Sequence, residues 1–528
     1  MSNLRSKLGL KIGGILMSIM SFAATERGDF HIIYQGQTVD NLIIKYMEEN
    51  NIPGLSLAIV QAPYIPRVVS YGLSDNKAKR LAATNTVFNI GQITNGFTAI
   101  AIMQLKAEGK LSLDNAITNY LPNIPQKWSS ISIRNLITHT SGLPSYSAVK
   151  DFDYSKKYTP QQILALIQDQ NLLFKPSTKG NFSATDYYLL GLIIEKVSGI
   201  SYEEHITKNQ IERIGLKHTF FISNQDKIKN KVNNGIKPLK NNEFLHNPIL
   251  INPTELATGY SEFNGELKQT RANSWSATFA DSGMVASSED ISLWDIALAG
   301  DILIKDPNDR ALIYSTVTLQ NKKVIPANAN WFFPGHKGLM EIKGNIPGYS
   351  SFLARFTDEL VCVTLLVNKQ DIPDLDILGR KIAGAFNEKL ATPKASKWSI
   401  TMQSPYDVKS TIDRVADIIK AQGGTIFARV DHAAEAAKVN QTLLPTQVLI
   451  VGNPAQGTSL MQNNPSIALD LPLKIMATQD KSGQIWLSFT DPVALAKEYG
   501  DQTKEQLAHL RKIYHGLLKV CQKAISPY

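Results

Sequence analysis

Apolar runs of strand length occur at two widely separated places in this chain. One is Leu55 to Val60; the other pair, Ser350 to Phe356 and Leu360 to Val367, is split by Thr357-Asp358-Glu359. Such runs leave unpaired backbone groups unless they meet other strands, and Arg67 to Tyr71 offers the first one a hairpin partner. Between the two places the pattern is helical. Val39 to Met47 is a short amphipathic stretch closed by Asn51 to Gly54. Ile93 to Glu108 carries Phe97, Ile100, Ala101 and Leu105 on one face and stops at Gly109, and Leu189 to Val197 stops at Gly199. Strands at both ends with helices between predict an α/β (α+β) domain whose sheet joins its N- and C-terminal segments.

A chain of 528 residues has room for two or three cores. The polar stretch 390–400, with Pro393, reads as a linker. The reading is therefore a first domain over 24–389 and a small separate α+β domain over 401–528. The second domain has a helix at Asp407 to Ile419 stopped by Gly423-Gly424, and strands at Thr425 to Val430, Gln447 to Val451, Leu473 to Thr478 and Gln484 to Phe489. A last amphipathic helix runs from Glu505 to Ile525, with His509 and His515 read as solvated surface.

Residues 1–23 look like an export signal. Arg5, Lys7 and Lys11 precede the apolar run Ile12 to Phe22, and Ser21-Phe22-Ala23 places small residues at a cleavage site. The run is shorter than the roughly twenty apolar residues that span a bilayer, so no stable membrane span is expected after cleavage. The expected location is outside the cytoplasm, periplasmic or secreted. The net charge of +9 is dispersed, without the basic and aromatic interleaving that grips nucleic acid. Cys362 and Cys521 fall in different domains and read as buried apolar side chains, neither a disulfide framework nor a metal site. No cofactor is implied.

Several segments are specific in combination. They are Thr86-Val87-Phe88-Asn89-Ile90-Gly91 with Gln92-Ile93-Thr94-Asn95 and Phe97-Thr98-Ala99; Ile133 to Pro144, containing Thr138-His139-Thr140-Ser141-Gly142; Leu189 to Glu195; Ile214 to Thr219; Ser282-Gly283-Met284; Ser287 to Asp290; and Ile346 to Ser351. In this order, over about residues 35 to 388, they resemble the serine β-lactamase and penicillin-binding-protein superfamily, in particular its class C β-lactamase, D-Ala-D-Ala carboxypeptidase and esterase branch. The resemblance implies a serine at a helix N-terminus and a lysine one turn later. It also implies a tyrosine from a Tyr-x-Asn segment, a Lys/His-x-Gly far-wall strand and backbone N–H groups that bind an oxyanion.

In this sequence the serine position is Gln92 and the lysine position Asn95. The tyrosine segment is Phe182-Ser183-Ala184, and the far-wall motif, read back without a gap, is Ile342-Lys343-Gly344. No intact catalytic set results. The expectation is a pseudoenzyme that binds or scaffolds, with a cell-wall peptide or a protein partner as ligand, and with a small neutral vestigial pocket suited to a carboxylate. The alternative is an active esterase, peptidase or β-lactamase with a rearranged site, using His336 of His336-Lys337-Gly338 or an unrecognised serine. Ser74 to Lys77 and Ser147 to Lys150 have serine–lysine spacing but open no apolar helix. His139 reads as a hydrogen-bonded core histidine.

The second domain carries Asp431-His432, Gly452-Asn453-Pro454, Gly457-Thr458 and Asp470-Leu471-Pro472-Leu473. Over about residues 402 to 500 it resembles the bacterial domain-of-unknown-function family numbered three hundred and two, which brings no settled activity. Asp431 and His432 are candidates for a pH-tuned pocket, set against turn and core roles. Asn453-Pro454 reads as turn chemistry.

Overall fold

The computed structural model describes residues 33–34, 37–224, 254–393, 395–500 and 502–528. The signal-like segment at 1–23 lies outside the described residues. Helix α1 (Val39–Glu49) starts at the N-cap Thr38, whose hydroxyl accepts the Asn41 N–H. Strands β1 (Gly54–Gln61), β2 (Tyr64–Asp75) and β3 (Arg80–Leu81) follow. The long helices of the middle are α2 (Ile93–Ala107), α3 (Ala184–Ser198), α4 (Trp275–Ser282) and α5 (Ser288–Ala299). The chain then returns through β4 (Ala327–Asn328), β5 (Trp331–Phe332), β6 (Leu339–Ile346), β7 (Tyr349–Phe356) and β8 (Val361–Val367), and closes the domain with α6 (Leu375–Phe386).

These strands form one eight-stranded sheet in the order β4-β5-β6-β7-β8-β1-β2-β3. Strand β8 lies antiparallel to β1, with Val367 opposite Leu55 and Val361 opposite Gln61, so the two ends of the domain meet as the strand patterns require. Both faces are covered. On β7, Phe352, Ala354 and Phe356 enter a core with α1 and α6, while Leu353 enters a larger one with α2. That is why these strands read as continuous apolar runs, not alternating ones. Helix α2 departs from the one-faced expectation. It is buried all round, and Thr94, Asn95, Thr98 and Gln104 are buried with its apolar residues. Two ionic contacts tie β6 to α6, the first of them buried on both sides. Arg380 donates to both oxygens of Glu341 at 2.7 and 2.9 Å, and Lys343 donates to Asp376 at 2.6 Å.

The second domain begins with β9 (Ser399–Ser404), so its first strand starts inside the stretch read as linker. Helix α7 (Val408–Ala421) is capped by Asp407. Then come β10 (Thr425–Asp431), α8 (His432–Lys438), β11 (Thr446–Gly452), α9 (Pro454–Asn463), β12 (Leu473–Gln479), β13 (Ile485–Thr490), α10 (Pro492–Lys497) and α11 (Lys504–Ile525). The sheet order is β9-β13-β12-β11-β10, all antiparallel, with α7 and α11 packed on it. The short helices α8, α9 and α10 were not legible as helices. Asn453-Pro454, read as a turn, instead leads into α9, because a proline's missing N–H costs nothing in a helix's first turn.

The domains share contacts. Ile377 of α6 belongs to the second domain's core. Tyr514 donates to Asp374 at 3.2 Å, Gln522 donates to the Pro373 carbonyl, and Gln484 bonds His336 at 3.0 Å. Beyond α11, Arg414 and Tyr406 each donate to the Ser526 carbonyl at 2.8 Å. Tyr528 then lies against Ile325 and Gly180 of the first domain.

Candidate functional site

The start of α2 is held from three sides. Gly91, at φ +51°, turns the chain into the helix and donates to Asn89 Oδ1 at 2.8 Å. Gln92 is the N-cap residue, and its carbonyl accepts the Asn330 side-chain N–H at 2.8 Å. Opposite stands β6, where Gly344 must be a glycine. A Cβ there would lie 2.7 Å from the Ile90 oxygen and 3.1 Å from Gln92 N. This close approach lets the Asn345 N–H donate to Gln92 Oε1 at 2.8 Å. The Gln92 side chain thus spans the gap between helix and far-wall strand. The backbone N–H of Gln92 has no acceptor among the described residues.

One turn on, Asn95 is fully buried, and neither atom of its side-chain amide has a hydrogen-bond partner. Near it is a residue that the sequence reading missed, Asp281 on α4. Its carboxylate is 1% exposed, without a partner at hydrogen-bonding geometry. Burial pushes its pKa up to about 6, and the nearby Ser282, His139, Asn95 and Gln92 only temper the rise. The available signal was position: Asp281 immediately precedes the Ser282-Gly283-Met284 landmark. The expected neutral pocket is corrected accordingly. A buried carboxyl without a cation disfavours the carboxylate ligand that a neutral pocket would accept. Helix α4 is also kinked two residues earlier, at Phe279 (φ +39°), a conformation that a buried aromatic residue adopts only where its surroundings enforce it.

His139 closes the third side. Its Nδ1 lies 2.9 Å from Asp186 Oδ2, Ser141 donates to Asp186 Oδ1 at 2.5 Å, and Nε2 is buried without a partner. Burial raises the Asp186 pKa against both hydrogen bonds. This is the hydrogen-bonded core histidine that the sequence suggests, with φ +53°. The Phe182 ring packs on it at 4.8 Å and Tyr528 stands edge-on at 5.8 Å. The Tyr528 hydroxyl is buried and unpartnered. Ala184 opens α3, its N–H donating to Ser145. Ile342 is buried and points at Gly96 beside Trp294, adding bulk but no polar group.

The fold thus gathers Gln92, Asn95, Phe182, Ala184, Ile342 and Gly344 around one buried polar patch. His336 is not part of it. It precedes β6, bonds Glu359 at 3.3 Å and Gln484 at 3.0 Å, and faces the second domain. Ser74 is a buried strand residue bonded to backbone carbonyls, and Ser147 pairs with Ser145 in a short turn. A carboxyl poised near 6 suits proton transfer. The hydroxyl beside it, Ser282, is fully buried, out of reach of a substrate. Gln92, Asn95, Phe182 and Ile342 line none of the principal cavities among the described residues. Among the described residues no cluster of His, Cys, Asp and Glu is arranged to hold a metal ion.

In the second domain Asp431 caps α8, accepting the Ala434 N–H at 3.0 Å and the Gln447 side chain at 2.7 Å, and the Ala434 bond lowers its pKa. His432 beside it is exposed. Asp431 is thus a helix cap at the edge of a cavity that His432 does not line. Asn453 lines a cavity described below. His509 corrects the surface reading, since its Nε2 is buried.

The comparisons with known proteins agree with this architecture. The sequence is 26% identical over 352 residues to Protein flp from Staphylococcus aureus (strain MW2), a match covering 63% of this chain and 63% of that one. The chain therefore spans less than two thirds of the curated relative's length. The structure resembles the octameric penicillin-binding protein homologue from Pyrococcus abyssi (TM-score 0.56, 20% identity, 85% of this chain and 89% of that one). It also resembles FmtA from Staphylococcus aureus (TM-score 0.52, 20% identity, 67% and 90%). A domain of unknown function, DUF302, matches residues 400–517. The Beta-lactamase family model matches residues 39–385, and the chain belongs to that family.

Proposed function

We propose that the protein is an exported, non-catalytic member of its family that works by binding and scaffolding, with a protein partner or cell-wall peptide as ligand. The observation that carries this reading is the bond from the Asn345 N–H to Gln92 Oε1. Where the family's chemistry needs a nucleophile, this chain has an amide oxygen turned away to satisfy the opposite strand. Asn95, Phe182 and Ile342 supply neither base, hydroxyl nor far-wall donor, and losing the nucleophile alone in a triad-type enzyme costs about a millionfold in rate. The buried patch favours a partner held on the surface over a peptide threaded into the cleft. Export rests on the basic, apolar and small-residue pattern of residues 1–23. Among the described residues no helix is long and apolar enough to cross a membrane.

The test is to incubate the purified protein with a fluorescent penicillin and an activated ester, then measure intact mass and nitrocefin turnover. No adduct and no turnover are expected. A stoichiometric penicilloyl adduct on any residue around Gln92 overturns the reading in favour of a hydrolase.

A further inference from the structure

The second domain holds a cavity of ≈ 580 Å³. It lies between the end of α7, the ends of β11 and β12, and the helices α9, α10 and α11. Leu460, Met461, Leu471, Leu473, Ile513 and Leu517 form much of its wall. It is open to solvent on one side, and its volume falls within the roughly 300–1,000 Å³ typical of small-molecule sites. Two glycines face it, Gly457 on α9 and Gly516 on α11. At each, the place of a Cβ has no atom within 4 Å, so these helices meet the cavity where side chains are missing.

The ionisable side chains in the lining are both basic. His509 and Lys512 are three residues apart on α11 and so share a face. His509 Nε2 is buried without a hydrogen-bond partner, a vacancy that needs an acceptor or a donor from elsewhere. Lys512 is exposed and makes no ion pair among the described residues. No Asp or Glu lines the cavity. A cationic head group would find no counter-charge there, whereas an anionic one meets an ammonium and an imidazole at one helix face.

We propose that this cavity binds a single-chain anionic amphiphile, a free fatty carboxylate. The chain lies along the aliphatic walls and the carboxylate takes hydrogen bonds from Lys512 and His509. The proposal stands independently of whether the first domain is catalytic.

The experiment uses the full chain and the fluorescent fatty acid cis-parinarate, displaced in turn by palmitate, hexadecanol and hexadecyltrimethylammonium. One saturable site per chain is expected, with palmitate competing at least about tenfold better than hexadecanol, the factor that a single charge-assisted contact supplies. The quaternary ammonium should not compete. Lys512→Glu should weaken palmitate about tenfold or more. Gly516→Phe and Leu517→Asp, each checked for folding by circular dichroism, should abolish cis-parinarate binding by filling the cavity or charging its wall. The absence of saturable binding overturns the proposal, as does binding that survives both cavity variants or equal competition by palmitate and the ammonium. Association with phosphatidylglycerol vesicles without binding of monomeric palmitate would also overturn it, pointing to a membrane surface instead.

Discussion

Gln92 Oε1 accepts the backbone N–H of Asn345 at 2.8 Å, joining the first turn of α2 to the facing strand β6. Replacing Gln92 breaks that link without creating a base. Gln92→Ser alone should leave nitrocefin and p-nitrophenyl ester hydrolysis at background, because Asn95, Phe182 and Ile342 still lack the proton-transferring groups. The comparison is with Gln92→Ser combined with Asn95→Lys and Phe182→Tyr. Clear turnover by the single variant would mean that Asp281 already serves as a base.

Asp281 should make stability fall as pH rises. Its folded pKa, about 6, lies above the ordinary carboxylate value of 3.8, so the folded state holds the proton more tightly. The stability that Asp281 contributes is then greatest below pH 4, is lost between about 4 and 6, and stays absent above. Asp281→Asn should raise stability by about 1–3 kcal/mol at pH 7.5 and by almost nothing at pH 4. Urea unfolding at the two pH values checks this.

The same carboxylate gives a place for a lost charge. Asn95→Lys puts an ammonium near Asp281, and the pair should offset much of the desolvation of both. Asn95→Lys should cost less than about 1.5 kcal/mol, while Asn95→Lys with Asp281→Asn leaves an uncompensated buried charge and should cost about 3–5 kcal/mol. A double-mutant cycle by thermal denaturation measures the coupling.

Tyr528 should stabilise the first domain although it follows the second. Its ring packs on Ile325 and near His139. Tyr528→Ala should cost about 2 kcal/mol, less than the 3–5 of a fully buried aromatic, because the ring is half-buried. Hydrogen exchange should rise around Gly180 and His139 in that variant, and unchanged protection there would refute the contact.

How much of this was legible follows from what each feature depends on. Runs such as Val361 to Val367 need only their own residues to announce a buried strand, and β8 duly pairs with β1. The gathering of Gln92, Asn95 and Gly344 was readable because ordered landmarks fix the fold and glycines fix the close approaches. Asp281 was not, because an aspartate beside Ser-Gly looks like any turn residue until the surrounding burial is known. The capping role of Asp431 depends on whether His432 begins a helix, and a seven-residue helix carries too few periods to detect. His509 was misread for a similar reason. Leu510, next to it on α11, packs with Ala496 of α10 and Leu460 of α9, short helices that the sequence does not announce.

Ile377 belongs by sequence to the first domain and by packing to the second domain's core. A gene rearrangement that replaced everything after residue 395 would leave this side chain without its apolar neighbours and Asp374 without Tyr514. An exchanged partner domain would have to bring a matching socket. The two units are therefore constrained to be inherited together, and substitutions on α6 should be tolerated only alongside compensating changes in α7 and α11.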